Sequence, residues 1–216
     1  MPEERKLVTI LFADVTGWTA LGESLDPEDV RALASLFYQH ARRVVEEHGG
    51  TLEKFIGDAL MAVFGLPYVH GNDPERALAA AMALRSAIVE DPLLAPHFLL
   101  HAGVNTGEVA TAYPAADPAT ADSLVTGDAV NTASRLYDAA EPGEILAGER
   151  THAAAARAFR FGEPRMLTVK NKRLPVRAYP LLGPGTEQVV SHPPLVGRRR
   201  ELAQLGLLPL PPGQSG

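Results

Sequence analysis

The 216-residue chain contains no cysteine. That excludes disulfide bridges, thiolate catalysis and cysteine-based zinc sites together. It has no apolar run long enough to cross a bilayer, and its opening residues, MPEERKLVTI, lack the apolar core of a secretory signal. The expectation is a cytoplasmic protein with no membrane partner. Positive charge is not in excess either: the formal net charge of -6 offers nothing to attract nucleic acid non-specifically, so a polyanionic ligand has to be held by local cations or metal ions. There is no internal repeat, no G-x-x-x-x-G-K-[ST] phosphate loop and no Ser-His-Asp set, and the seven histidines are scattered. His101, inside an expected strand, reads as structural. What is present is an ordinary globular composition, 46% hydrophobic and 21% charged, sufficient for one domain with its own core and a short extension.

The chain alternates between strand and helix patterns. KLVTILFADV (6–15) is a β-branched, apolar run expected to form a buried strand ending at Asp14. A helix is expected from Asp26, with Asp26 as cap and Pro27 in the first turn, ending at the glycines 49 and 50. TLEKFIGDALMAVFG (51–65) reads as strand, tight turn and strand, with Gly57 and Asp58 at the bend. A second helix, 73–91, starts on a capping Asp73. FLLHAGVNTGEVATAY (98–113) is expected to be a hairpin turning at 105–107, and PAADPATADS (114–123) a loop. A helix over 127–140 and short elements near Ile145, 149–156 and 176–181 complete the domain. The order strand, helix, strand, strand, helix, strand predicts an α+β fold with a ferredoxin-like βαββαβ core and extra C-terminal helices and strands.

In such a sheet Asp14, at a strand end, and Asp58, at a hairpin turn, can approach each other. Two carboxylates that close repel, and a divalent cation between them relieves the repulsion. Hard oxygen donors, with no thiolate and no clustered imidazole, point to Mg2+ or Mn2+. Magnesium shares its coordination with substrate phosphates, which suggests two-metal phosphoryl transfer. Read singly, each aspartate is also explained by local turn and cap preferences.

FADVTGWTAL, EKFIGDALMAVFG and GDAVNTASRL together resemble the class III nucleotide cyclase catalytic domain, of the bacterial adenylyl cyclase type, over about residues 5–182. The resemblance implies that Asp14 and Asp58 bind two metal ions, with the Val15 carbonyl as a further ligand. Lys54 matches the residue that reads the purine: a lysine only donates, which suits adenine, whose N1 accepts, over guanine, whose N1–H donates. Asn131 and Arg135, four apart on one helix face, match the pair that orients ribose and neutralises charge at the α-phosphate. Leu124 stands where the family carries a second base-selecting polar residue, and Glu108 where some members carry a triphosphate-binding arginine. The phosphate charge then falls to Lys170 and Lys172, in a segment resembling the family's lysine-bearing loop.

The family's site lies between two domains, and this chain carries both halves of the residue set. The resemblance therefore implies a head-to-tail homodimer that converts ATP to 3′,5′-cyclic AMP and pyrophosphate. The competing readings are a catalytically weak cyclase-like regulatory or dimerisation module, motivated by Leu124 and Glu108, and a guanylate cyclase. Diguanylate synthesis is disfavoured, because no Glu-Phe signature follows the two glycines. The expected domain spans 1–182. Residues 183–216 read as a linker and tail, in which PPLVGRRRELAQL resembles the start of an AAA-type ATPase module.

Overall fold

The first apolar run folds as β1 (Glu4–Val15), and its near-continuous hydrophobicity has a simple cause: both faces of this strand are covered. Leu11, Ala13 and Val15 enter the larger core, whereas Val8, Ile10 and Phe12 enter a second core on the opposite face. Alternation along the strand therefore puts Asp14 on the second face. The computed structural model describes residues 4–111, 125–167 and 175–185.

A short helix, α1 (Trp18–Ser24), follows β1 directly and was not expected. It is held by tertiary packing, with Trp18 stacked on Phe98 at 5.2 Å and Leu21 buried. Helix α2 (Pro27–Glu47) begins as its sequence predicts, although the Asp26 side chain makes no capping bond and only its carbonyl accepts, from Asp29 and Val30. It buries Phe37, Ala41, Val44 and Val45 and stops where Gly49 takes φ 70°. The expected hairpin is β2 (Thr51–Ile56) and β3 (Ala59–Phe64). Gly57 turns it with φ 65°, a conformation that costs a side-chain-bearing residue energy. A bulge between Leu52 and Lys54 shifts the register, so that Lys54 pairs with Met61.

Helix α3 (Asp73–Glu90) lays alanines and leucines against the sheet. Asp73 does not cap it as expected. Asn72 holds the cap position, and the Asp73 carboxylate accepts instead from the His70 backbone N–H at 3.1 Å, because it already lies within the first turn.

The expected hairpin over 98–113 is also corrected. The segment is one unbroken strand, β4 (Leu100–Thr111), antiparallel to β1 from Leu100 opposite Val15 to Thr111 opposite Glu4. Asn105 and Gly107 look like turn residues but serve the packing of the next helix. β5 (Val125–Thr126) pairs with β4 and leads into α4 (Asp128–Ala139). This helix lies directly on β4. A Cβ on Gly103 would collide with the Ala133 carbonyl and the Tyr137 nitrogen, one on Gly107 would come 2.7 Å from the Ala129 Cβ, and Asn105 donates its side-chain amide to the Ala129 carbonyl at 3.0 Å.

β6 (Ile145–Gly148) then joins β4 in parallel, followed by α5 (Glu149–Ala155), β7 (Phe159–Phe161), β8 (Arg165–Leu167) and β9 (Val176–Pro184). The sheet order is β2-β3-β1-β4-β6-β9-β7. Each of its first four strands is antiparallel to its neighbour, in the ferredoxin-like order, so the fold class is the expected α+β one. α2 and α3 cover one face with the larger core, and α4 covers the other. The expected loop 114–123, Leu124, Lys170, Lys172 and the tail from 186 lie outside the described residues.

Candidate active site

The β1–β3 register ends with Ala13 opposite Leu60, so one step further brings Asp14 and the Gly57–Asp58 turn to the same end of the sheet. The two carboxylates feel each other. Burial pushes the Asp14 carboxyl above its ordinary range and the charge of Asp58 pushes it further. Hydrogen bonds from Tyr137 and Val15 and the nearby His101 ring work in the opposite direction. Asp14 is only 9% exposed. Its Oδ1 accepts from the Val15 backbone N–H and its Oδ2 from the Tyr137 hydroxyl, each at 2.7 Å.

Tyr137 and Tyr38 belong to the site but were missed in the sequence. Tyr137 lies on α4, stacked on His101 at 5.0 Å, and His101 stands directly across from Asp14 on β4. The signal was available: Ala129, Ala133 and Tyr137 recur every four residues and form the inward stripe of α4. Tyr38, on α2, reaches the turn from the other face of the sheet and donates to the Gly57 carbonyl at 2.7 Å. Burial raises its phenol above the ordinary range, with Asp58 and then Asp14 adding to the shift.

Lys54 pairs with Met61, and Met61 with Phe12, so Lys54 shares the face of Asp14. Two strands and two residues separate them, roughly 12 Å between backbones. The Lys54 ammonium lies 3.6 Å from the Glu53 carboxylate. Asn131 and Arg135 stand on α4, the helix that carries Tyr137. Tyr137 faces Asp14, and Arg135, two positions earlier, is turned from it by roughly 200° around the helix; Asn131, a turn further back, is exposed. Glu108 is exposed on β4.

Among the described residues no group of three or more His, Asp or Glu side chains is placed to hold a metal ion. The donor set at the strand end is two carboxylates and main-chain oxygen. It is hard, anionic and incomplete, which fits a divalent cation that completes its shell with water and substrate phosphates.

The family model for the adenylate and guanylate cyclase catalytic domain matches residues 1–183. The chain belongs to that family. Among solved structures it resembles the guanylyl cyclase Cya2, with a TM-score of 0.78 and 27% identity over 87% of this chain and 98% of that one. It resembles the adenylyl cyclase CyaB from P. aeruginosa almost equally, with a TM-score of 0.77 and 26% identity over the same shares. An uncharacterised protein of Mycobacterium tuberculosis is 33% identical over 155 residues, 71% of this chain and 28% of that protein. The chain thus spans under a third of the length of that curated relative. Cyclase domains of this family act on nucleotides, work as dimers and generally use divalent metal ions.

Proposed function

We propose that this chain is an adenylate cyclase that converts ATP to 3′,5′-cyclic AMP and pyrophosphate at the interface of a head-to-tail homodimer. The observation that carries this reading is the meeting of buried Asp14 with Asp58 at one end of the sheet, while Asn131 and Arg135 stand on a separate element, α4, with Asn131 exposed. A set of residues divided in that way is completed by a second copy related by a two-fold axis, which yields two equivalent sites.

In this reading Asp14, Asp58 and the Val15 carbonyl hold Mg2+ or Mn2+, two ions per site. Bound there, such ions lower the pKa of the ribose 3′-hydroxyl and neutralise the leaving pyrophosphate. Asn131 of the second copy orients the ribose so that its 3′-oxygen lies in line with the α-phosphorus. Arg135 of that copy neutralises charge developing on the α-phosphate. Lys54 donates to adenine N1, and Leu124, which can neither donate nor accept, leaves base choice to Lys54 and main-chain groups. Lys170 and Lys172 supply phosphate charge. GTP is the competing substrate, because a guanylyl and an adenylyl cyclase resemble the chain equally well.

The reading extends to organisation: the catalytic domain is assigned to residues 1–182, although its last strand, β9, runs on to Pro184, and the remaining tail is proposed as a link to an ATPase signalling module. No helix among the described residues is long and apolar enough to cross a membrane; the proposed placement is cytoplasmic, and the net charge of -6 is what argues against nucleic-acid partners.

The test is cyclic nucleotide formation from ATP or GTP with Mg2+ or Mn2+, beside Asp58→Ala. Cyclic AMP from ATP, lost in the variant, is the expected result. Preferential cyclic GMP would overturn the base assignment. No product from a folded dimer with either nucleotide and either metal would favour the regulatory-module reading.

A further inference from the structure

We propose that Tyr137 is a positioning residue that fixes the Asp14 carboxylate in the orientation in which it takes a divalent cation. The inference rests on the assignment of Asp14 as a metal ligand made above.

The geometry is specific. A carboxylate has about four lone-pair directions, two on each oxygen. In Asp14 the Val15 N–H uses one on Oδ1 and the Tyr137 hydroxyl uses one on Oδ2. Each oxygen keeps one direction open, and the group cannot rotate without breaking a 2.7 Å bond.

The tyrosine is itself immobilised. Its ring lies nearly parallel to His101, 11° between planes, and has Phe12 on hand with centroids 6.3 Å apart. Its helix cannot shift towards or along β4 freely, because the helix backbone rests directly on Gly103 and the Ala129 methyl on Gly107. An outer partner of this kind orients a ligand and raises its affinity for metal.

The chemistry of the donor also suits the task. A lysine or arginine at the same place would stabilise the carboxylate but bring a positive charge to compete with the cation. A phenol supplies the hydrogen bond with no net charge, and so keeps the Asp14–Asp58 pair anionic towards the metal.

The experiment is a Mn2+ titration of the full chain, followed by electron paramagnetic resonance, with a 3′-deoxy analogue of ATP that has no oxygen to cyclise. Native protein, Tyr137→Phe and Asp14→Asn are compared, with thermal melting recorded for each. Tyr137→Phe keeps the ring and its stack, so its melting temperature should stay within a few degrees of native. Its Mn2+ dissociation constant should rise about 10- to 100-fold, the usual effect of removing an outer-sphere partner.

An unchanged dissociation constant would reduce Tyr137 to a packing residue, and a lower one would make its hydroxyl a competitor of the metal. Either overturns the proposal. Asp14→Asn separates the two levels. If it abolishes Mn2+ binding while Tyr137→Phe does not alter it, only the positioning role fails. If Asp14→Asn binds Mn2+ like native protein, the metal-site assignment fails and the role of Tyr137 falls with it.

Discussion

The hydroxyl of Tyr38 donates to the carbonyl oxygen of Gly57 over 2.7 Å, tying the middle of α2 to the turn that carries Asp58. The two tyrosines thus grip the acid pair from opposite faces of the sheet, Tyr38 at the turn and Tyr137 at Asp14. Tyr38→Phe retains the ring contact with Phe55, whose centroid lies 4.2 Å away, and removes only the donor. The stability loss in urea denaturation should be about 0.5–1 kcal/mol, because water can reach the freed carbonyl. Turnover should fall severalfold as the Asp58 turn loosens; native turnover in the variant would show that the turn holds itself.

Asp14→Ala and Arg135→Ala chains should each be inactive alone and active when mixed. A heterodimer of the two has one intact site, so random mixing should restore about a quarter of native activity. Mixed dimers confirmed by tagged co-purification but without activity would remove the shared-site arrangement.

Lys54→Glu replaces a group that only donates with one that only accepts. The ratio of kcat/KM for ATP over GTP should fall by about tenfold or more, since a mismatched donor or acceptor is left unsatisfied in the base site. Steady-state assays with both nucleotides read this directly.

Gly103→Val should damage the fold as well as the site. The new side chain would enter the backbone of α4 at Ala133 and Tyr137. The expected cost is about 1–3 kcal/mol in urea denaturation, with the helix displaced and Mn2+ binding weakened along with it. Gly57, whose Cβ would meet nothing within 4 Å, tests the turn alone: Gly57→Ala is strained only through its φ of 65°.

Acid should weaken the contact between α2 and the end of α3. Asp91 has its carboxyl held below the ordinary range, first by the hydrogen bond from His40 at 2.9 Å and next by the backbone N–H of Leu93. A depressed carboxyl contributes stability that is fully present above its unfolded value, near pH 4, and is lost as the pH falls through its folded value. Asp91→Asn should therefore be less stable than native at neutral pH and converge with it in acid. Denaturation midpoints measured across that range check the sign.

The segments legible in the sequence were those whose signal is local. Helix α2 was readable from Pro27, the helical spacing of Val30, Leu33, Leu36, Phe37 and Val44, and the glycine stop. The β2–β3 hairpin was readable from Gly57 and Asp58 between two apolar runs. The errors occurred where a residue has both a local and a distant use. Asn105 and Gly107 suit a turn, yet here one donates to Ala129 and the other makes room for it, and pairing with all of β1 keeps their strand straight. Asp73 suits a cap, and its position one residue inside the helix gives it to His70 instead.

The sequence by itself determined the order β1, α2, β2, β3, α3, β4 of the ferredoxin-like core and the presence of two aspartates in turn-forming contexts, because periodicity, caps and glycine stops act within a few residues of each other. Only the tertiary structure decided which face of β1 Asp14 occupies and that Tyr137 binds it across 123 positions of chain. Those outcomes depend on strand register and on how closely α4 can settle on the glycines of β4. Both are fixed by contacts between segments far apart in the chain, and no local pattern encodes them.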